Sequence, residues 1–275
     1  MDRLFVVKKP IWISSNRYMG YVKRKYNTKK VGFSGTLDPF AAGSLIVATG
    51  RYTKLFNYLN KTPKSYRATL WLGALSPTLD IEQVESIQPI KPYTKEMIEA
   101  VLGSLLGEVS YYPPQYCAKK IDGVAAYKNA RAGKNSALKK ITSKIYEMKL
   151  LCYNHPFIHF EATVSEGTYI RSLGEMIAQK LKVDGCLSSL ERLREGRFFY
   201  EDEKALNPLE YISLPKNSYK KDENDIELGK KLLVDDFKIQ DNGIYLIKTS
   251  HFFAIIEIED YKVKYLINRM PLLKD

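Results

Sequence analysis

Residues 32–43 read GFSGTLDPFAAG, a run that contains three glycines, one proline and a single charged residue, Asp38. Glycine reaches backbone conformations that other residues avoid, and proline and small residues also favour sharp changes of chain direction. The run therefore predicts a tight loop, with the Asp38 carboxyl group presented at its tip.

Asp38 lies in a strongly basic part of the chain. Residues 1–79 carry fourteen Lys and Arg but only two acidic residues, whereas the remaining residues carry 29 of each sign, so the whole formal net charge of +12 lies in the first third. Nearby cations favour the charged form of a carboxyl group, which predicts an ionised Asp38 with a lowered pKa. An anionic partner, nucleic acid rather than a membrane surface, would explain this charge; a solvated lysine-rich face is the alternative interpretation.

Other sequence features disfavour several kinds of protein. No stretch of about 18 apolar residues could span a bilayer, and the first ten residues lack the apolar segment of a signal peptide, so we expect a cytoplasmic protein with no membrane partner. The cysteines are odd in number and far apart, and we expect reduced core residues at Cys117, Cys152 and Cys186. The three histidines are scattered, and neither a P-loop nor a dinucleotide fingerprint is present, which predicts no metal and no cofactor.

Strand-like and helix-like patterns are mixed along the chain without a regular βαβ repeat. This order predicts an α+β fold with a central mixed, largely antiparallel sheet flanked by helices. The expected strands are residues 4–7, 44–48, 66–72, 145–152 and 157–164. The expected helices are one capped within residues 14–16 and ending near Tyr26, one at 53–59 capped by Thr53, one at 94–106 with Met97 among its apolar positions, and one opened by Gly167-Thr168 with Arg171 in its first turn.

The chain is long enough for one large domain and a small one. We expect a main domain over residues 1–215, a polar linker over residues 216–231, and a small C-terminal β module over residues 232–275.

The run at residues 32–43 resembles the signature loop G-H-[ST]-G-T-L-D-P-x-A-x-G of the TruB family of tRNA pseudouridine synthases. Further blocks resemble those of the family in the same order and spacing, over about residues 8 to 200. They are Lys9-Pro10 with residues 14–16, residues 64–68 (KSYRA), residues 113–133, residues 167–173 (GTYIRSL) and residues 190–194 (LERLR).

Three positions depart from the family pattern. Phe33 stands where the family usually has histidine, Trp12 where glycine is usual, and Cys117 in a serine position. Phenylalanine keeps a flat face that can stack on a base but loses a hydrogen bond, so stacking would have to suffice at Phe33.

The resemblance implies the pseudouridine synthase fold, a catalytic main domain and a weakly PUA-like C-terminal module. It implies an isomerase that converts uridine-55 in the TΨC loop of tRNA to pseudouridine, with the tRNA T-arm as its partner and no protein partner. Because one tRNA arm is a small target, we expect a monomer. The residues that it implies as catalytic are Asp38, Tyr66 and Arg171. The residues that it implies for substrate binding are Phe33, Tyr66, Tyr169, Leu190, Lys9 and Lys120.

Pseudouridine formation breaks the N1–C1′ bond of uridine, turns the uracil and rejoins it through C5, so the reaction needs no redox cofactor. It does need an ionised carboxylate near the ribose, and Asp38 suits both a nucleophile at C1′ and a base at C2′. Arg171 is the expected ion-pair partner of Asp38, and the resemblance implies that Tyr66 stacks on the flipped uracil and helps to remove the C5 proton.

Two other functions compete with the isomerase. A non-catalytic tRNA-binding protein or tRNA-folding chaperone would share every basic feature and remains the alternative. A glycoside hydrolase requires two carboxylates that flank the scissile bond. The next acidic residue after Asp38 is Asp80, which lies outside the matched blocks, so this function is disfavoured.

Overall fold

The computed structural model describes residues 2–121, 123–134 and 137–273. In chain order, the strands of these residues are β1 Arg3–Lys9, β2 Val31–Ser34, β3 Ala42–Thr49, β4 Lys64–Leu72, β5 Ala74–Leu75, β6 Ser86–Ile87, β7 Gly107–Tyr111, β8 Lys120–Ile121, β9 Val124–Ala125, β10 Ile141–Asn154, β11 Phe157–Val164, β12 Gly185–Glu195, β13 Phe198–Phe199, β14 Gly243–Lys248, β15 Phe252–Glu259 and β16 Lys262–Pro271. The α-helices are α1 Ser15–Lys25, α2 Lys95–Gly103, α3 Ala126–Arg131, α4 Ile170–Lys180 and α5 Glu223–Glu227. Short 3-10 helices form at Gly50–Leu55, Ile81–Gln83, Pro208–Glu210 and Val234–Asp236.

One large sheet organises the molecule. Its strands follow the order β1-β3-β12-β4-β11-β10-β7, with β2 beside β3 and β13 beside β12. The β3–β12 pair is parallel, and the other pairs of this sheet in the described residues are antiparallel. The α+β fold with a mixed, largely antiparallel sheet is therefore confirmed.

The strand β4 at the centre of the sheet buries one face beneath helices α2 and α4. Tyr66, Ala68 and Leu70 are buried, whereas Arg67 between them is exposed, which is the alternation predicted for a strand with two different faces. The helix residues that share this core include Ile98, Leu102, Ile170, Leu173 and Ile177.

Helix α2 begins after Thr94 as predicted, but its buried face differs from the prediction. Met97 is exposed rather than packed, because the apolar stripe of the helix runs through Ile98 and Leu102, four residues apart. The backbone amide of Met97 instead donates to the Thr94 hydroxyl at 3.2 Å, so this residue completes the helix cap.

The prediction of a helix over residues 53–59 is wrong. The chain forms a 3-10 helix at Gly50–Leu55, and the Thr53 hydroxyl donates to the Gly50 carbonyl at 2.8 Å instead of capping a helix. The earlier start follows from packing, because it turns Tyr52 and Leu55 into the core.

Strands β1 and β3 are covered on both faces. Ser14 caps α1 as predicted by accepting a hydrogen bond from the Arg17 amide at 3.2 Å, and α1 packs on one face of these strands. The three-stranded antiparallel sheet β14-β15-β16 packs on the other face, where Leu4 and Val6 share a core with Phe253. The predicted C-terminal β module is therefore present as a sheet of its own.

The segment predicted as a linker, residues 216–231, contains α5. Ile226 of this helix is fully buried in a core with strands β14 and β15. The division of the chain into domains stays a prediction. No helix among the described residues is long and apolar enough to cross a membrane.

Cys117 and Cys186 are buried, as predicted, but Cys152 is exposed, and its prediction as a core residue is wrong. The pairing of β10 with β11 shifts by one residue between Leu150 and Cys152. Such a bulge reverses which side chains face inward, so Cys152 turns to the solvent side of the sheet.

Candidate active site

The loop over residues 35–41 joins β2 to β3 and carries Asp38. Its apolar residues Leu37 and Phe40 are buried in the main core, so the loop is anchored on both sides of Asp38. At the start of α1, the Ser15 hydroxyl accepts from the Leu37 amide at 3.0 Å and donates to the Leu37 carbonyl at 3.1 Å. The Asp38 side chain stays 35% exposed, which agrees with its predicted place at the loop tip.

Two glycines of the signature run allow the chain to pass close to β12. At Gly43 φ is +112°, and a Cβ atom there would lie 2.2 Å from the Arg192 carbonyl oxygen. At Gly35 φ is +67°, and a Cβ atom would lie 2.9 Å from a carboxylate oxygen of Glu195. Glycine is required at both positions, because any other residue would be strained and would collide with β12.

Arg171, in the first turn of α4, is the centre of the site. Its Nε lies 2.9 Å from Oδ2 of Asp38, so the expected ion pair is present. Its Nη1 donates to the Thr78 carbonyl at 2.7 Å and lies 3.3 Å from Oδ2 of Asp80, and its Nη2 donates to the Tyr116 carbonyl at 2.8 Å. The buried guanidinium is therefore fixed by several chain segments and holds Asp38 in one orientation. We call Arg171, Asp38 and Asp80 the Arg171 cluster.

Asp80 is a site residue that the sequence analysis did not identify. Its side chain is buried, and its Oδ1 accepts hydrogen bonds from the Thr78 hydroxyl at 2.7 Å and from the Glu82 amide at 3.0 Å. Asp80 is thus a fixed anchor for Arg171, whereas Asp38 is the carboxylate that solvent can reach. The only local sequence signal was the hydroxyl-rich segment SPTLD at residues 76–80.

The environment of Asp38 raises its pKa. Burial is the largest cause and the charge of Asp80 adds to it, while the cations of Arg171 and Lys9 act in the opposite direction. The prediction that basic surroundings lower this pKa is therefore wrong in its net direction. Many basic side chains of the first third face solvent, where water and salt screen them, whereas the Asp38 carboxyl group lies among buried groups.

Two clefts meet at Asp38. One has a volume of about 330 Å³ and the other about 370 Å³, a size that fits a small organic group such as a base with its ribose. The residues that line both clefts are Thr36, Leu37, Asp38, Ala118 and Arg171. We call the first the base cleft; the second extends past Asn16 at the start of α1. In the described residues, no group of three or more His, Cys, Asp or Glu side chains could hold a metal ion.

Tyr66, Tyr169 and Leu190 all line the base cleft, so the fold brings these three expected substrate-binding residues together with Asp38. Tyr66 in β4 and Leu190 in β12 form part of the main core beneath the cleft. Within the described residues the Tyr66 hydroxyl makes no hydrogen bond, which leaves it free to contact a ligand. Burial and contact with Cys117 raise the pKa of Tyr169, so its hydroxyl stays protonated.

A second group of charges lies beneath Gly35, and we call it the Lys64 cluster: Lys64, Arg192 and Glu195. The Lys64 Nζ lies 2.8 Å from Oε2 of Glu195, and Nη2 of Arg192 lies 3.0 Å from Oε1. Arg192 also donates to the Gly35 carbonyl at 2.9 Å and to the Ser44 carbonyl at 2.8 Å. Burial lowers the pKa of Lys64, but Glu195 and Tyr66 together more than offset this, and the net pKa is raised.

The sequence analysis did not predict the Lys64 cluster. Lys64 and Arg192 fall within matched blocks, but Glu195 lies just beyond residues 190–194, and no sequence pattern identified it as a site residue. The cluster ties β3, β4 and β12 together under the loop, and its two cations line the base cleft.

Lys9 does not line either cleft, although it was expected to bind substrate. Its side chain is fully buried, and burial lowers its pKa to about 8. Its Nζ donates to the carbonyl groups of Pro10, Ile13 and Pro39 at 2.8, 2.7 and 3.4 Å. Lys9 therefore holds the loop beside Asp38 from within, and its role toward substrate stays a prediction.

Phe33 and Lys120 also lie outside the base cleft. Phe33 is half-buried in β2, where it packs against the core beneath α1. Lys120 is exposed in β8, while its neighbour Lys119 lines the base cleft. Direct substrate contacts of Phe33 and Lys120 stay predictions.

Residues 23–170 match the family model described as TruB family pseudouridylate synthase, N-terminal domain. Over 275 residues, 100% of this chain and 99% of the relative, the chain is 66% identical to tRNA pseudouridine synthase B of a Sulfurovum species. It is 52% identical, over 98% of both chains, to tRNA pseudouridine synthase B of a Nitratiruptor species.

Solved structures with a similar fold include one chain of a Cbf5-Nop10-Gar1 complex, with a TM-score of 0.69, 20% identity, and coverage of 97% of this chain and 85% of that one. An archaeal box H/ACA sRNP Nop10-Cbf5 complex gives a TM-score of 0.65 at 22% identity, covering 98% and 86%. These likenesses confirm the fold, and the family match with the close relatives shows that the chain belongs to the TruB family of pseudouridylate synthases.

Proposed function

We propose that this pseudouridine synthase converts uridine-55 in the T-arm of tRNA, with Asp38 as its catalytic carboxylate. The observation that carries the proposal is the ion pair of Asp38 with Arg171, both of which line the base cleft, in a chain whose near full-length relatives are named tRNA pseudouridine synthase B. The reaction changes uridine into its isomer, so atoms and electrons balance within the substrate.

Asp38 supplies the negative charge that the reaction requires. Either its carboxylate attacks C1′ as the N1–C1′ bond breaks, or it removes a proton from C2′ to give a glycal; both routes end with a C5–C1′ bond. The raised pKa makes Asp38 a stronger base once it is ionised, and the ion pair with Arg171 keeps the ionised form in place.

Tyr66 and Leu190 hold the uracil while it is detached from the ribose. The ring of Tyr66 offers a stacking face, and its free hydroxyl is available to assist removal of the C5 proton. The high pKa of Tyr169 suits it to donate a hydrogen bond rather than to act as a base.

A paired or stacked uridine cannot reach the base cleft, so the enzyme must hold the RNA with the target base turned out. Exposed cations supply contacts to the phosphates: Lys119, which lines the base cleft, and Lys23 and Arg24 in the last turn of α1, beside Lys25, which pairs with Glu203 at 2.8 Å. These contacts give affinity without sequence preference, and we expect binding to weaken steeply as salt rises.

The T-arm is a small target, so we propose that the chain acts as a monomer without a protein partner, in the cytoplasm. We further propose that residues 1–215 form the catalytic domain.

The proposal is tested with an unmodified tRNA transcript, wild-type protein and the Asp38→Asn variant, with pseudouridine mapped along the RNA. We expect product at uridine-55 with wild type and none with Asp38→Asn, although both bind the tRNA equally. Asp184→Asn, the same change at an exposed carboxylate outside both clefts, is the control and should retain full activity. Tight binding by wild type without any product would favour the RNA-binding alternative instead.

A further inference from the structure

Trp12 combines two unusual properties. Its side chain is 57% exposed, and its φ of +62° lies in the left-handed region that residues other than glycine rarely adopt. The neighbouring Ile11 is 53% exposed as well, so one turn presents two large apolar side chains to solvent. Neither burial nor backbone preference explains tryptophan here, because glycine would adopt this turn with less strain.

The turn that carries Trp12 is held rigidly against the loop of Asp38. The backbone amide of Trp12 donates to the Pro39 carbonyl at 2.7 Å, one residue beyond Asp38. The buried ammonium of Lys9 donates to carbonyl groups on both sides of Trp12 and to that of Pro39. A buried charge is unfavourable unless it is well paired, so these bonds give the turn one fixed position beside the catalytic loop.

The surroundings of this turn are cationic. The formal net charge of +12 lies within residues 1–79, and Arg17, close to Trp12 in sequence, is exposed. Lys8 is exposed as well, with its ammonium group 3.2 Å from Glu191. Proteins that bind unpaired nucleic acid combine cations that contact the phosphates with exposed aromatic rings on which bases stack.

We propose that Trp12 is a substrate-positioning residue, which stacks on an unpaired RNA base beside the uridine that enters the base cleft. This inference rests on the proposed function, because the RNA is the substrate of that reaction. The stacked base fixes the register of the RNA, and the target uridine then reaches Asp38.

The stacking is tested first by fluorescence, because the chain has only two tryptophans, Trp12 and Trp71. In a Trp71→Phe variant the emission reports Trp12 alone, and we expect a T-arm RNA hairpin to quench it with a saturable titration. The Trp12→Phe variant, in which Trp71 alone emits, should show little quenching. Unchanged Trp12 emission at saturating RNA would overturn the inference.

The second test compares affinity and stability. Loss of one base stack should weaken RNA binding about tenfold in Trp12→Gly, while Trp12→Phe should stay near wild type. Because Trp12 carries no charge, the slope of log Kd against log salt should not change. Trp12→Gly should unfold at the same or a higher denaturant concentration than wild type, since the strain at φ of +62° is relieved.

Tyr261 offers a matched control. It is also an exposed aromatic residue with positive φ, +58°, but it lies in the turn between β15 and β16 and lines neither cleft. Tyr261→Gly should relieve similar strain and leave RNA affinity unchanged.

The outcomes separate this inference from the proposed function. If wild type modifies the tRNA but Trp12→Gly binds it as tightly as wild type, the role of Trp12 is overturned and the proposed function stands. If wild type forms no pseudouridine while RNA still quenches Trp12, the proposed function fails and the RNA contact of Trp12 stands. Quenching by an unrelated protein or by lipid vesicles, with none by RNA, would assign this turn to another partner and overturn the inference.

Discussion

The Arg171 cluster and the Lys64 cluster both contact the loop that carries Asp38, but they are built in opposite ways. In the Arg171 cluster one guanidinium is shared by two carboxylates, and the Asp38 side chain is 35% exposed. In the Lys64 cluster one carboxylate is shared by two cations, and each of these three side chains is 7% exposed or less.

This difference indicates that the Arg171 cluster serves the reaction, whereas the Lys64 cluster stabilises the fold. The excess of negative charge in the Arg171 cluster helps to raise the pKa of a carboxylate that substrate can reach. The Lys64 cluster has an excess of positive charge, is almost fully buried at the edge of the base cleft, and joins three strands beneath the loop. Removing the exposed carboxylate of the Arg171 cluster, Asp38, should therefore affect mainly turnover, and removing the carboxylate of the Lys64 cluster, Glu195, should affect mainly stability.

After the loss of Asp38 itself, the largest effect is expected from Arg171→Lys, because lysine keeps the charge but cannot reach all four partners of the guanidinium at once. We expect kcat to fall by about 10²-fold and the free energy of unfolding to fall by about 3 kcal/mol, as measured by single-turnover rates and urea unfolding.

The matched control is Arg67→Lys. Arg67 forms an exposed two-point contact with Glu161 and lines neither cleft, so this variant should lose no more than about 1 kcal/mol and keep wild-type turnover. Equal losses of turnover and of stability in Arg171→Lys and Arg67→Lys would show that the guanidinium geometry of Arg171 has no special role.

A substitution in the Lys64 cluster should lower the stability of the protein with little effect on turnover. Glu195→Gln removes the buried counter-charge that Lys64 and Arg192 share and leaves Lys64 with the more exposed Glu166 at 3.4 Å, so we expect the free energy of unfolding to fall by about 3 kcal/mol. Turnover per folded molecule at low temperature should change less than tenfold. Glu161→Gln, on the exposed face of the sheet, serves as the control in the same urea titration; a Glu195→Gln protein as stable as this control would contradict the supporting role.

The sequence predicted those parts of the site that depend on local patterns. The loop at residues 35–41, the strand alternation at Tyr66 and the start of α4 at Arg171 all follow from turn residues and periodicity, and the family motif paired Asp38 with Arg171. The roles of Asp80 and Glu195 became visible only in the structure, since Asp80 pairs with Arg171 and Glu195 pairs with Lys64, and both of these partners are distant in sequence. The direction of the Asp38 pKa also required the fold, because burial is a property of the packed chain.

A smaller effect concerns the pH dependence of the reaction. In the proposed mechanism catalysis needs ionised Asp38, and the pKa of Asp38 is raised, so kcat/KM should rise with pH through a value above the usual carboxyl pKa of about 3.9. Asp80→Asn removes a negative charge that raises this pKa, so the midpoint of the acid limb should move to lower pH. A midpoint that moves upward in Asp80→Asn, or that already lies below about 3.9 in wild type, would contradict this assignment.

The raised pKa of Asp38 also determines how its contribution to stability changes with pH. Because the pKa of Asp38 is higher in the folded protein than in the unfolded chain, its contribution to stability is fully present below the unfolded pKa and is lost as pH rises through the folded pKa. At neutral pH the ionised carboxylate therefore opposes folding, while Asp80 still pairs with Arg171.

The most direct test measures the free energy of unfolding of Asp38→Asn and of wild type at neutral pH, beside their rates of pseudouridine formation. We predict that Asp38→Asn is as stable as wild type or more stable, and that product formation is lost. A variant that is about 2 kcal/mol or more less stable, and whose lost activity matches its unfolded fraction, would show instead that Asp38 supports the fold and not the chemistry.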